Sequence, residues 1–135
     1  MVDITITPAS VIAGTGTIQK AGTSGATIVA GNIVYLDPTD SKYKLADSDA
    51  MPAGVTVVYL ALNGASDGQP ITVLQRGDVA LGAVLTAGAR YYLSETAGGV
   101  QPEADLGVGE DVILLGLASD ASTLQFNPQN PGVTL

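Results

Sequence analysis

Apolar residues fall along this chain in short runs, rich in Val, Ile, Thr and Tyr and broken by Gly, Pro, Asn and Asp. Such runs predict strands, because β-branched side chains fit a pleated surface and lose rotamer freedom in a helix. Strands are expected at 4–7, 15–19, 27–29, 33–36, 43–45, 55–62, 71–76, 79–81, 90–94, 112–119 and 123–126. Asn63-Gly64, Asp67-Gly68, Gly77-Asp78 and Gly98-Gly99 supply turns between them. The longest stretch free of Gly and Pro, 39–51, is rich in Ser and Asp, which favour turns over helix interiors. The chain therefore reads as all-β.

An internal similarity suggests how the strands are grouped. GATIVAGNIVYL, beginning at Gly25, aligns with GAVLTAGARYYL, beginning at Gly82, an offset of 82 − 25 = 57 residues. The same offset aligns Val57-Val58-Tyr59-Leu60-Ala61 with Leu114-Leu115-Gly116-Leu117-Ala118, and Leu74-Gln75 is expected to correspond to Leu124-Gln125 after a shorter turn. Two copies are too few for a solenoid. The expectation is one compact β-barrel or β-sandwich made of two internal repeats, about 25–81 and 82–127, neither folding alone. The turns Ala30-Gly31 and Ala87-Gly88 then need Gly for a left-handed backbone conformation.

The segment IVYLDPTDSKYKLADSDA, from Ile33 to Ala50, poses a choice between metal site and turn. Read as a calcium loop from Asp47, it has Met51 where an oxygen ligand belongs and Pro52 where the bend needs Gly. Read as a hairpin, Asp37-Pro38 opens a turn between two strands, with Asp accepting backbone hydrogen bonds and Pro pre-setting φ. The hairpin is the better reading, with Asp37, Asp40, Asp47 and Asp49 as turn and surface residues.

At 135 residues the chain suffices for one domain with a core. Hydrophobic residues make up 46% and charged ones 13%, which excludes wholesale disorder. Net charge is −8, and Lys20, Lys42, Lys44, Arg76 and Arg90 are too scattered to form a basic patch, so nucleic-acid binding is not expected. The first residues, MVDITITPAS, lack the basic and apolar regions of a secretory signal, and no apolar run approaches membrane-spanning length.

Catalytic chemistry finds few candidates. The chain has no His and no Cys, which removes the commonest general base, thiol nucleophile and transition-metal ligands. Asp47 with Asp49, and Glu110 with Asp111, are the available carboxylate pairs, and both read as solvated acidic turns. No catalytic, cofactor-binding or metal-ligating residue is assigned, and no small-molecule substrate is expected. Tyr35 and Tyr92 occupy equivalent repeat positions and are placed in the core; Tyr43, Tyr59 and Tyr91 stay open between core and interface.

The segment 1–24, Gly- and Thr-rich, is expected to be an N-terminal arm or strand that orders against a partner, beside a β domain at 25–127. The stretch Asn127-Pro128-Gln129-Asn130-Pro131-Gly132 is expected to be irregular, leaving 128–135 as a tail.

DITIT, AGNIVYLDPTDSKYKLADSDA, LALNGASDGQPITVLQRGDV, RYYLSETAGGVQPEADLG and ILLGLASDASTLQF together resemble the small capsid decoration, or cement, proteins of tailed bacteriophages. The likeness runs in order from about Val2 to Phe126. It implies a structural, non-enzymatic virion protein, made in the host bacterial cytoplasm, that binds the capsid exterior and stabilises the major capsid protein lattice. It further implies a homotrimer. A carbohydrate- or host-receptor-binding β module, from a head fibre or tail component, is the alternative and would require an exposed aromatic platform.

Overall fold

In the computed structural model, which describes residues 3–48, 52, 55, 57–109 and 111–130, the chain is all-β. Ten strands follow in order: β1 (Ile12–Ala13), β2 (Ile18–Thr23), β3 (Ile33–Leu36), β4 (Tyr43–Leu45), β5 (Tyr59–Ala61), β6 (Pro70–Ala80), β7 (Arg90–Leu93), β8 (Val100–Pro102), β9 (Leu114–Ala118) and β10 (Thr123–Gln129). Short 3-10 turns at Pro8–Ser10 and Glu103–Asp105 complete the described structure. Among the described residues, no helix is long and apolar enough to cross a membrane.

The strands form one curled sheet in the order β4-β3-β5-β6-β10-β9-β7-β8, with β1 and β2 on the other edge of β6. β6 is the hinge of this arrangement. Up to Arg76 it pairs with β2, and with β5 at Val73 and Leu74; from Gly77 on it pairs with β10, and with β1 at its end. Gly77 has φ 125°, and a Cβ there would stand 2.6 Å from the Thr17 Cα. Only a residue without a side chain fits that close approach of two backbones. Leu74 and Val79 both enter the main core although one is even-numbered and the other odd. The strand has therefore changed the face it buries at this bend.

The main core lies inside the curl and gathers Ile33, Leu60, Leu74, Leu93, Leu115, Leu124 and Phe126 from both halves of the chain. A second, smaller core lies on the opposite face of β3, β5 and β6, where Val34, Tyr59, Ala61, Ile71 and Val73 meet Ile28, Tyr43 and Ala65. The two cores explain why Tyr59, Leu60 and Ala61 are all buried in succession. Leu60 points to the main core and its neighbours to the second, so the strand reads as a continuous apolar run. Tyr43 and Tyr59 meet edge to face there, with ring centroids 5.4 Å apart.

The 57-residue offset carries backbone registers onto one another. Val34↔Leu45 and Leu36↔Tyr43 in β3–β4 become Tyr91↔Pro102 and Leu93↔Val100 in β7–β8. Ile33↔Leu60 becomes Arg90↔Leu117. The last strands differ from expectation by one residue. Ala61 pairs with Val73 while Ala118 pairs with Leu124, so Leu74 corresponds to Gln125 rather than to Leu124.

Several boundaries depart from the sequence reading. Residues 4–7 form no strand; instead the Ile4 N–H donates to the Val100 carbonyl at 2.9 Å, and Ile4 and Ile6 pack against the main core. Within 15–19 a turn precedes β2, which runs on to Thr23. Thr27 and Val29 lie outside the strands, with Ile28 forming an isolated bridge to Ala65. In 55–62 only Tyr59–Ala61 is strand, and Thr56 lies outside the described residues. β6 merges 71–76 with Val79 and Ala80 into one element, and Leu81 lies outside it.

The C-terminal stretch is a correction as well. Asn127, Pro128 and Gln129 continue β10, pairing Gln129 with Leu114. Pro128 falls where the register shifts between Phe126 and Gln129, a position that needs no ladder donor. Residues 131–135, including Pro131 and Gly132, lie outside the described residues.

Candidate interaction face

The β3–β4 hairpin holds the aspartates first considered as metal ligands. Asp37 Oδ1 accepts the Thr39 N–H at 2.8 Å, and Asp40 Oδ1 accepts the Lys42 N–H at 3.1 Å. Each closes a local turn, the second of them around Ser41, whose φ is 59°. The Lys44 ammonium sits 2.7 Å from Asp37 and 3.0 Å from Asp40. It holds both carboxyls below the ordinary carboxylate value, and they in turn raise the lysine. A resident cation thus occupies the place between the two acids.

The other acidic candidates are not brought into this cluster. Asp47 follows the end of β4 and is partly buried, and Asp49 lies outside the described residues. Asp111 is partly buried and its N–H donates to the Ser48 carbonyl at 3.0 Å, while Glu110 lies outside the described residues. Among the described residues no group of three or more acidic side chains is placed to hold a metal.

All six aromatic side chains are accounted for. Tyr43, Tyr59, Tyr91, Tyr92 and Phe126 are buried, at 8% exposure or less. Tyr35 is partly buried against the main core. The Tyr91 hydroxyl accepts the Thr86 N–H at 2.8 Å, which satisfies its polar end inside the protein. An aromatic platform of the kind a sugar-binding module needs is not present on this surface.

The open surface is the outer face of β7, β9 and β10. Leu114, Gly116, Leu117, Arg90, Gln125, Asn127 and Gln129 line a shallow concavity of about 230 Å³. Leu117 is 41% exposed at its floor. Arg90 closes one side, its Nη1 lying 3.3 Å from Glu103 in an exposed ion pair. Burial, with the Glu103 charge adding to it, raises the Tyr92 hydroxyl above its ordinary value.

This face has a counterpart in the first half. Through the shared registers, Arg90, Leu117 and Gln125 stand where Ile33, Leu60 and Leu74 stand in β3, β5 and β6. Those three are fully buried in the main core. The halves therefore share hydrogen-bond geometry but bury opposite faces toward the common core, leaving one sheet face open. The sequence carried a trace of it in the alternation Gln125, Asn127, Gln129. Reading Pro128 as the start of an irregular tail concealed that period of two.

No family model matches the chain, and no curated protein matches it in sequence.

Proposed function

We propose that the protein is a structural virion protein that binds the outer surface of a tailed-phage capsid and stabilises the major capsid protein lattice. What carries this reading is the open face of β7, β9 and β10, with leucines Leu114 and Leu117 set among Arg90, Gln125, Asn127 and Gln129. An apolar centre with hydrogen-bonding side chains around it suits a protein surface. The sequence resemblance supplies the class of partner.

The glycan-binding alternative is weakened by the tyrosines, because the side chains that would stack on a sugar are turned inward. The resemblance also suggests three copies acting together. Tethered copies engaging weak sites at once gain roughly 10² to 10⁴ in overall affinity without new contacts.

The test is cosedimentation of the purified chain with capsids from which decoration has been stripped, and mass spectrometry of intact virions. Wild type should pellet with capsids, and Leu117→Glu should lose binding while keeping its circular dichroism spectrum. Wild-type chain that stays in the supernatant with every capsid form tried would remove this reading.

A further inference from the structure

The chain has four asparagines, and they differ in the residue that follows each. Asn127 and Asn130 precede Pro, which has no N–H, and Asn32 precedes the β-branched Ile33. Asn63 precedes Gly64. An asparagine side-chain amide is open to attack by the backbone nitrogen of the next residue, and a side chain on that residue hinders the approach. Gly offers no such hindrance.

The fold leaves this nitrogen open. Asn63 and Gly64 lie in the connection between β5 and β6, where Asn63 is partly buried and Gly64 is exposed. The Leu62 N–H donates to the Thr72 carbonyl and the Ala65 N–H to the Ile28 carbonyl, both at 2.9 Å, but the Gly64 N–H has no acceptor among the described residues. The same connection holds a second turn of related chemistry, Asp67-Gly68, and there the Gly68 N–H is held by the Ser24 carbonyl at 2.8 Å. The Ile33 N–H after Asn32 is likewise bound, to the Gly98 carbonyl at 2.9 Å. Nor does the backbone need Gly at 64. Its φ lies outside the left-handed region, and a Cβ there would meet the Ile28 carbonyl oxygen at 3.5 Å, an ordinary contact.

The Asn63 side chain is turned toward its own next peptide. Its Nδ2 donates to the Gly64 carbonyl at 2.9 Å and to the Pro70 carbonyl at 3.5 Å. Its Oδ1 accepts the Thr72 N–H at 2.7 Å. The first contact holds the amide against the Gly64 peptide, as a positioned reactant. The last sets a backbone donor on the oxygen that gains negative charge when the amide carbon is attacked.

We infer that Asn63 is a self-modification site, at which the folded chain deamidates through a succinimide formed with Gly64. The Gly64 nitrogen gives its proton to solvent base and bonds to the Asn63 Cγ. The Cγ–Nδ2 bond then breaks, and Nδ2 takes up a proton from solvent and leaves as ammonia. Water adds to either imide carbonyl and opens the ring, giving aspartate or isoaspartate. Amide and water thus become carboxylate and ammonium, with nothing oxidised or reduced. The product has no hydrogen to offer the Gly64 and Pro70 carbonyls, and isoaspartate adds a carbon to the backbone ahead of Gly64. β6 is thereby loosened at its Pro70 end, and the chain gains a negative charge. None of this depends on a capsid contact.

The test is peptide mass spectrometry of the full-length folded protein held in mildly alkaline buffer, beside the same protein unfolded in guanidinium chloride. In the folded protein the peptide containing Asn63 should gain the mass of an NH2-to-OH exchange, with isoaspartate among the products, at a rate no lower than in the unfolded chain. Peptides containing Asn32, Asn127 and Asn130 should keep their mass. Gly64→Ala, which the backbone accepts, should slow the gain severalfold with the melting curve retained. Asn63→Asp, which installs one of the products directly, should melt below wild type. A folded chain that keeps Asn63 intact, or loses it more slowly than the unfolded chain, overturns the proposal. So does a Gly64→Ala chain that deamidates as fast as wild type. An Asn63→Asp chain that melts with wild type would overturn the loosening of β6.

Discussion

Lys44 reaches across its hairpin to Asp37 at 2.7 Å and fills the place between two carboxylates that a metal ion would otherwise take. The turn is closed by its own chemistry, with Asp37 and Asp40 capping backbone N–H groups on one side and binding the lysine on the other.

A chelator should therefore leave the melting temperature unchanged. A metal bound by the native state alone, at a hundredfold over its dissociation constant, would add about 2.7 kcal/mol. A drop of several degrees on adding chelator would show that a metal contributes after all.

The same hairpin should have a defined pH signature. The Asp37 and Asp40 carboxyls titrate below their ordinary value of 3.8 in the folded chain, so their contribution is complete above that value. It disappears as pH falls through the lowered folded values. The raised lysine acts in the other direction: its contribution is present below its ordinary 10.5 and is lost only in more alkaline solution. Lys44→Met should melt below wild type at neutral pH, and the gap should close in strong acid. A gap that persists unchanged at low pH would mean that packing, not charge, is the cause.

Gly116 should tolerate no side chain. A Cβ there would run into the Gln125 carbonyl oxygen and lie 3.2 Å from the Phe126 Cα, both backbone atoms of β10. Gly116→Ala should cost about 1–3 kcal/mol in urea unfolding, as overpacked sites do. Gly68→Ala gives the contrast, since nothing lies near its Cβ and only its φ of 86° opposes the change.

Phe126 is the largest fully buried side chain and belongs to the core shared by both halves. Phe126→Ala should cost about 3–5 kcal/mol. One cooperative transition, seen alike by circular dichroism and tyrosine fluorescence, is expected, because neither half has a separate main core to retain. Two resolved transitions would contradict that.

Deleting residues 1–24 should destabilise the fold strongly. The deletion removes β2 from β6, and with it Ile4, Ile6 and the 2.6 Å hydrogen bond between Asp3 and Ser94. Binding experiments are better done with point variants. A truncated chain that melts like wild type would mean these contacts contribute little.

What the sequence by itself determined is local. The β3–β4 hairpin, its Asp37-Pro38 turn and the strands at 33–36 and 43–45 follow from residues that are neighbours in the chain, because turn geometry and β-branching act over a few bonds. The tertiary structure decided which face each strand buries. Tyr91 enters the main core and Leu117 reaches solvent, although their register partners across the 57-residue offset, Val34 and Leu60, lie in the second and the main core. A one-residue change of face inverts every side chain on a strand, and it arises at bends such as Gly77, where a backbone from far along the chain comes too close for any side chain. Pro128 shows the same division: alone it signals the end of a strand, yet beside β9 it sits in a register shift where its missing N–H costs nothing.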